Sequence, residues 1–278
     1  MKKVVFLILL SLFALSSQAK KNEFSMLMKH PDINVKYQGA IKYYNEKDYK
    51  KAIELFEDIQ GAFRGTDAAQ DITYYLANCY MQRKDYESSI HYLESYREAY
   101  VRGKYLEECN YMLAYCHYKM SPYFELDQTS TYKAIEQLNY CLTMYPLNEK
   151  SADAKTMLDE LKDKLAKREL ANANLYYNLG MYMGNNYRSA VVTAMNAMNE
   201  FPDCAYKEEF AFIIVKSKYK ETINSVAKKL HERSEDSWDE CYYFLNEFPE
   251  TKHRKEVEKM AEHLKRINNA HIDNTNNN

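Results

Sequence analysis

The sequence is poor in the residues that make tight turns. Only 6 of its 278 residues are Gly and 5 are Pro, both far below average usage. So few turn formers cannot supply the closely spaced turns of a β-sandwich or barrel, nor a Gly-rich phosphate-binding loop. Neither charge is in large excess: 38 Lys plus Arg stand against 40 Asp plus Glu, which leaves no electrostatic footprint for nucleic acid. There is no CxxC, so no thioredoxin-like or zinc-ribbon signal, and no GxSxG, HExxH or P-loop. After the N-terminus no apolar run is long enough to span a bilayer. What is abundant is tyrosine, with 27 residues, in a chain that is 46% hydrophobic. The composition fits an all-helical, water-soluble protein rather than a disordered one.

The N-terminus reads as a targeting signal. Lys2 and Lys3 precede an apolar run from Val4 to Leu15, broken only by Ser11, and small residues lead to Ser17-Gln18-Ala19 before Lys20. This predicts a signal peptide at 1–19, with an uncleaved signal anchor as the alternative. Cleavage would remove two lysines and no acid, taking the formal charge from −2 to −4. An exported, soluble mature chain follows, opening with an N-terminal segment at 20–35. Export permits disulfides among the six cysteines. Cys79, Cys109, Cys116 and Cys141 nevertheless sit in helical runs among apolar neighbours, which favours free core thiols over a Cys116–Cys141 bridge. Cys109 and Cys116, about 10 Å apart along a helix, cannot bridge each other.

An internal repeat decides the fold class. Asp48-Tyr49-x-x-Ala52-Ile53-x-x-Phe56 returns as Asp85-Tyr86-x-x-Ser89-Ile90-x-x-Leu93, then more loosely from Thr131 and from Tyr187. A fifth, degenerate copy begins at Ser234. At one fixed offset in these copies stand Phe63, Tyr100, Tyr145, Phe201 and Phe248, and the last three precede Pro146, Pro202 and Pro249. Proline cannot continue a helix, so it marks where each second helix stops. Earlier in each pair Leu76-Ala77-x-x-Tyr80 matches Leu113-Ala114-x-x-His117, and Leu179-Gly180 holds a similar place. A small residue there lets two antiparallel helices approach closely.

These residues resemble the tetratricopeptide repeat, a helix-turn-helix unit of 34 residues. The prediction is an all-α tetratricopeptide-repeat solenoid of about five units with elongated later helices. The spacings from Tyr49 through Tyr86, Thr131 and Tyr187 to Ser234, which are 37, 45, 56 and 47 residues, all exceed the norm. An insertion at Ser121–Gln128, a long helical run from Ser151 to about Met183 and a long helix candidate from Lys207 to His231 account for the excess. The expected organisation is 36–150 for the N-terminal repeats, 151–267 for the C-terminal repeats, and a disordered Asn-rich tail at 268–278.

The export signal, the degenerate repeats and several segments are together similar to the BamD family. They include Ala52-Ile53-Glu54-Leu55-Phe56-Glu57-Asp58, Leu126-Asp127-Gln128-Thr129, Tyr132-Lys133-Ala134-Ile135, Asn172-Ala173-x-Leu175-Tyr176-Tyr177-Asn178-Leu179-Gly180 and Tyr182-Met183-x-Asn185-Asn186-Tyr187. That family is the tetratricopeptide component of the outer-membrane β-barrel assembly machinery. The resemblance implies a non-catalytic scaffold on the periplasmic face of the outer membrane, peripherally associated with it and lacking a cofactor. It implies a BamA-like partner bound through POTRA domains by the C-terminal repeats, unfolded barrel proteins whose signal segments the N-terminal repeats receive, and other assembly-complex subunits. One departure stands out: the family's lipidated cysteine is absent, since the first cysteine is Cys79. The mature chain would then be unlipidated, or a paralogue with a changed task.

Folding the repeat frame onto the first three pairs gives a candidate peptide groove of Tyr37, Tyr44, Tyr74, Asn78, Tyr111, Tyr115 and Tyr118. Tyrosine rings offer apolar area at low entropy cost, and hydroxyls and amides bond an extended backbone. The competing reading is that several of these tyrosines pack between helices. The charge-dense stretches 162–178 and 216–229 read as a partner face or, more simply, as solvated helix surface with ion pairs such as Glu160–Lys164. His117 beside Cys116 has no second ligand at i+3 or i+4, so core packing is expected of it rather than a metal. Glu107 and Glu108 diverge on a helix and make no acid–base pair. Two other functions share this architecture: a periplasmic repeat adaptor for cell-wall or other envelope complexes, and an enzyme whose site lies on the Ser121–Gln128 insertion.

Overall fold

A computed structural model describes residues 23–276, with side chains as far as Ala270; the expected signal peptide at 1–19 lies outside them. Every regular element described is α-helical. After a helical stretch at 23–28 come α1 (Ile33–Asn45), α2 (Tyr49–Gln60), α3 (Asp67–Gln82), α4 (Tyr86–Ala99), α5 (Leu106–Met120) and α6 (Thr129–Met144). Then follow α7 (Ser151–Leu179), α8 (Asn186–Glu200), α9 (Lys207–Ile223), α10 (Ala227–Glu247) and α11 (Arg254–Asn276). The predicted class holds: this is an all-α tetratricopeptide-repeat fold. It forms two compact units, one running to Ser121 and including Gln128–Met157, the other taking Pro122–Asp127 and the chain from Leu158.

Local chemistry fixes the pairs. The side chains of Asp48, Asp85 and Asn185 accept hydrogen bonds from the backbone N–H groups of Lys51, Ser88 and Arg188, capping α2, α4 and α8. Lys47 (φ 61°), Lys84 (φ 64°) and Gly180 (φ 56°) end the preceding helices in the left-handed conformation. Each donates its N–H to the carbonyl three residues back, Tyr44, Met81 or Tyr177. Gly180 therefore terminates α7 instead of lying inside it. The small residues at the helix crossings are Ala40, Ala77 and Ala173, each seven positions before such a turn and fully buried.

The second helices of four pairs stop alike. Tyr100, Tyr145, Phe201 and Phe248 share φ between −121° and −132° with ψ between 56° and 69°, and each N–H bonds the carbonyl four residues back. Proline after three of them bars α geometry at the residue before it. Phe63 departs from this frame: α2 ends at Gln60, and Phe63 packs beside Tyr37. The run expected from Lys207 to His231 is two helices. Asn224 Nδ2 and Ser225 Oγ donate to the carbonyls of Lys220 and Glu221, at 2.7 and 2.8 Å, and end α9 at Ile223. Where an irregular tail was expected from 268, α11 continues to Asn276. Asn268 bonds Ser234, and Arg266 pairs with Glu262 on the solvent side.

In the first unit Tyr43, Leu55, Phe56, Ile59, Ile72 and Leu76 form one cluster, and Leu93, Tyr96, Leu113 and Cys116 belong to the next. In the second, Val215, Cys241, Phe244, Val257 and Leu264 pack together. All six cysteines are free thiols, five of them buried. The 121–128 insertion is pinned rather than open: Thr131 Oγ1 lies 2.5 Å from Ser121 Oγ and donates to Gln128 Oε1 at 2.7 Å, while Phe124 is buried beneath Lys167 Nζ at 4.9 Å.

Candidate peptide-binding site

The first unit contains a cavity of about 420 Å³ where α3, the α3–α4 turn, α5 and the start of α7 converge. On α5 the spacing of Glu108, Tyr111, Met112 and Tyr115 places all four on one helical face. Lys150 just before α7, with Asp153 and Met157 on it, forms a second side, and Met81, Gln82, Lys84 and Tyr86 close the third. Three thioethers and three phenol rings make an apolar floor that adapts to aromatic or branched side chains. Its rim is charged, with Lys150 Nζ 2.5 Å from Glu108 Oε1.

Of the seven predicted groove residues, Tyr111 and Tyr115 line this cavity. Asn78 lies behind them, buried, with Nδ2 3.9 Å from Met112 Sδ. Tyr118 is adjacent: its ring is 6.5 Å from that of Tyr115, and Lys119 Nζ stands over both at 5.1 and 5.2 Å. Tyr74 stacks on Tyr105 at 4.0 Å, and Tyr44 packs edge-on against Tyr75 at 4.7 Å. Tyr37 belongs to the first pair's core, edge-on to Phe56, with its hydroxyl 3.5 Å from Asp71 Oδ2. The structure therefore brings Asn78, Tyr111, Tyr115 and Tyr118 to one place and spends Tyr37, Tyr44 and Tyr74 largely on helix packing. Tyr111 does both, since its hydroxyl donates to the Tyr145 carbonyl at 3.3 Å and lies 3.1 Å from Ser151 Oγ.

Burial raises the pKa of Tyr37, Tyr44 and Tyr74. The Tyr44 hydroxyl is pushed up to about 12 by desolvation. Tyr74 is raised as well, by desolvation and then by the Glu108 carboxylate. They stay neutral, and so remain hydrogen-bond donors, at any physiological pH.

Sequence reasoning missed Met81, Glu108, Met112, Lys150, Asp153 and Met157. The α5 face was present in the spacing 108, 111, 112, 115. The α7 residues carried no comparable signal, because their role depends on the helix after Pro146 folding back as the first helix of a fourth pair. Elsewhere, Glu107 accepts from Asn148 Nδ2 and Glu108 from Lys150 Nζ. His117 is buried, and burial lowers its pKa. Among the described residues no cluster of His, Cys, Asp or Glu could hold a metal ion. Much of the charge on α9 faces neighbouring helices: Lys218 pairs with Asp236 and Glu240, Glu221 with Arg233, and Lys216 Nζ sits 4.2 Å over the Tyr177 ring.

Helix pairs presenting such a cavity define a tetratricopeptide scaffold. The sequence matches the YfiO family model, described as outer membrane lipoprotein, over residues 30–184. That is more than half of the chain, and the chain belongs to this family. Tetratricopeptide and YfiO proteins are generally non-catalytic scaffolds, and the family links the chain to the cell envelope. No curated protein matches the sequence. Among solved structures, the tetratricopeptide domain of P58(IPK) is 14% identical, with a TM-score of 0.39, over 91% of this chain and 59% of that one. A tetratricopeptide protein from Bacteroides fragilis is also 14% identical, with a TM-score of 0.41, over 86% of this chain and 100% of that one.

Proposed function

We propose that the chain is a non-catalytic scaffold on the periplasmic face of the outer membrane that serves the assembly of β-barrel membrane proteins. In this reading the repeats at 36–150 receive extended signal segments of unfolded barrel proteins. The repeats at 151–267 hold a BamA-like barrel-inserting subunit through its POTRA domains, beside other assembly subunits. The observation that carries the reading is the Met- and Tyr-lined cavity inside the family-matched residues. It has apolar depth for a side chain and a polar rim for a peptide backbone.

The test is binding of a fluorescent peptide copying the C-terminal segment of an outer-membrane barrel protein. Tyr115→Ala and Met157→Lys should each weaken it about ten-fold, roughly 1.4 kcal/mol, with unchanged circular dichroism. Tyr115 is the cleaner probe because Tyr111 also ties α5 to Tyr145 and Ser151. Wild-type affinity in both variants would remove the cavity from the reading. The family match ends at residue 184, and the repeats beyond it are where an adaptor for cell-wall or other envelope complexes would differ. Co-purification of wall enzymes in place of a POTRA-bearing barrel protein would establish that second reading.

A further inference from the structure

Between its second helices the first unit carries two further cavities, one bounded by α2, α3 and α4, the other by α4, α5 and α6. They measure about 580 and 560 Å³. Glu94, Val101, Leu106 and Asn110 of the latter stand 37 residues after Glu57, Arg64, Ala69 and Thr73 of the former, the interval between those two copies of the repeat. The repeat thus makes the same hollow twice, apart from the Met- and Tyr-lined inner cavity.

The inner cavity balances Lys84 and Lys150 against Glu108 and Asp153. Each outer cavity has two carboxylates to one arginine: Glu57 and Asp58 with Arg64, then Glu94 and Glu98 with Arg97. Arg97 is spent elsewhere, its Nη1 donating to Gln137 Oε1 at 3.0 Å and its guanidinium lying 5.6 Å over the Tyr140 ring. Glu94 and Glu98 are exposed and form no ion pair among the described residues. Glu57, Asp58 and Glu98 stand in the last turn of α2 or α4, where the carbonyl end of the helix already disfavours negative charge. Helix stability alone would place a lysine or arginine there. Glu57 is also held in place, accepting from the Tyr80 and Tyr92 hydroxyls at 2.5 and 3.3 Å. The floor of the second cavity adds an independent feature. Asn110 is 1% exposed; its Nδ2 donates to the Tyr145 hydroxyl at 3.1 Å, while its Oδ1 is a buried acceptor with no donor. A carbonyl oxygen left so has lost its water without return, and a ligand N–H would restore the bond. Around it Val101, Leu106 and Tyr140 offer apolar contact.

We propose that the outer cavities bind an extended segment of a partner protein bearing two lysines, one seated in each. A lysine carries an apolar stem and three N–H donors on one cation. It therefore answers the apolar wall, the Asn110 carbonyl and the unpaired carboxylates together. A neutral or acidic segment would leave those carboxylates uncompensated. The cavities lie one repeat apart across α4, about one helix diameter or 10 Å. An extended chain covers that distance in about three residues, so the fitting pattern is Lys-x-x-Lys. The cavity at Glu94 is the stronger of the two, because Asp58 in the other is already paired with Lys36 at 2.6 Å. This surface is separate from the inner cavity and does not rest on the function proposed for it.

Fluorescence anisotropy with a labelled Gly-Lys-Val-Leu-Lys-Gly peptide tests this. The expected Kd is on the order of 10–100 μM at low salt, weakening several-fold in about 0.5 M salt as the new ion pairs are screened. The same peptide with both lysines acetylated should bind about ten-fold more weakly. Glu94→Gln with Glu98→Gln should weaken the lysine peptide about as much, with unchanged circular dichroism and a urea midpoint no lower than wild type, since α4 is relieved of charge at its carbonyl end. An excess of the barrel-signal peptide should leave the lysine peptide bound. No binding below about 1 mM, equal affinity for the acetylated peptide, wild-type affinity in the Gln pair, or displacement by the barrel-signal peptide, which would seat the lysine peptide in the inner cavity, would each overturn the proposal.

Discussion

Gly103 lies where no larger residue fits. A Cβ there would meet the Tyr96 hydroxyl and the Tyr100 Cβ. Tyr96 is fully buried, with its hydroxyl accepting from the Tyr105 N–H at 3.0 Å and donating to Gln70 at 3.3 Å. Gly103→Ala should therefore cost about 1–3 kcal/mol as the ring is displaced, read as a lower urea midpoint; an unchanged midpoint would mean that the ring shifts freely. The sequence marks Gly103 as a rare glycine but not its purpose, because the crowding ring arrives from another helical turn. The thiols make a second prediction at this scale. Burial raises Cys79, Cys109 and Cys241 from an ordinary 9.0 to about 12, and Cys116 and Cys141 to about 11. The folded state thus holds these protons more tightly than the unfolded one. Their stabilising contribution is complete below pH 9 and is lost as pH rises from 9 toward 11–12. Urea midpoints should fall across that window, and in native protein near pH 8 only the partly exposed Cys204 should react readily with a thiol reagent.

The elements were the most legible level, because their ends are set by neighbours in sequence. The repeat starts at Asp48 and Asp85 and the aromatic-proline pairs from Tyr145 onward can be read before any packing is known. What could not be read were the helix ends set by side-chain hydrogen bonds to carbonyls, such as those of Asn224 and Ser225, and the continuation of α11 past Asn268. The left-handed turns give the prediction at this level. Lys47 and Lys84 occupy φ 61° and 64°, where the Cβ crowds the following carbonyl. Lys47→Gly and Lys84→Gly should each stabilise by about 0.5–1 kcal/mol, the relief exceeding the entropy glycine adds to the unfolded chain. Their shifts in urea midpoint should add, since the turns belong to different pairs. Destabilisation by either would show that the lysine makes a contact worth more than its strain.

For the whole molecule, the consequence of a repeat architecture is that each helix buries its apolar stripe against its sequence neighbours alone, so damage should stay local. Leu113 on α5 is nearly fully buried between the second and third pairs, and its truncation to alanine should cost about 2–5 kcal/mol. In a single cooperative globule that loss would lower the protection of every slow amide alike. Here hydrogen exchange should show α3 to α6 losing protection, while α9 to α11, held by Val215, Phe244 and Val257, exchange as in the wild type. The same variant separates fold from site. Only the α5 wall of the cavity between α3, α5 and α7 was legible in the sequence, because the rest is made by the stacking of pairs and belongs to no one of them. Leu113→Ala should therefore weaken peptide binding in proportion to the opening of α5, and Tyr115→Ala should do so with protection intact. Uniform loss of protection along the chain in Leu113→Ala would mean that the units unfold as one and that binding losses in this half cannot be assigned to the cavity alone.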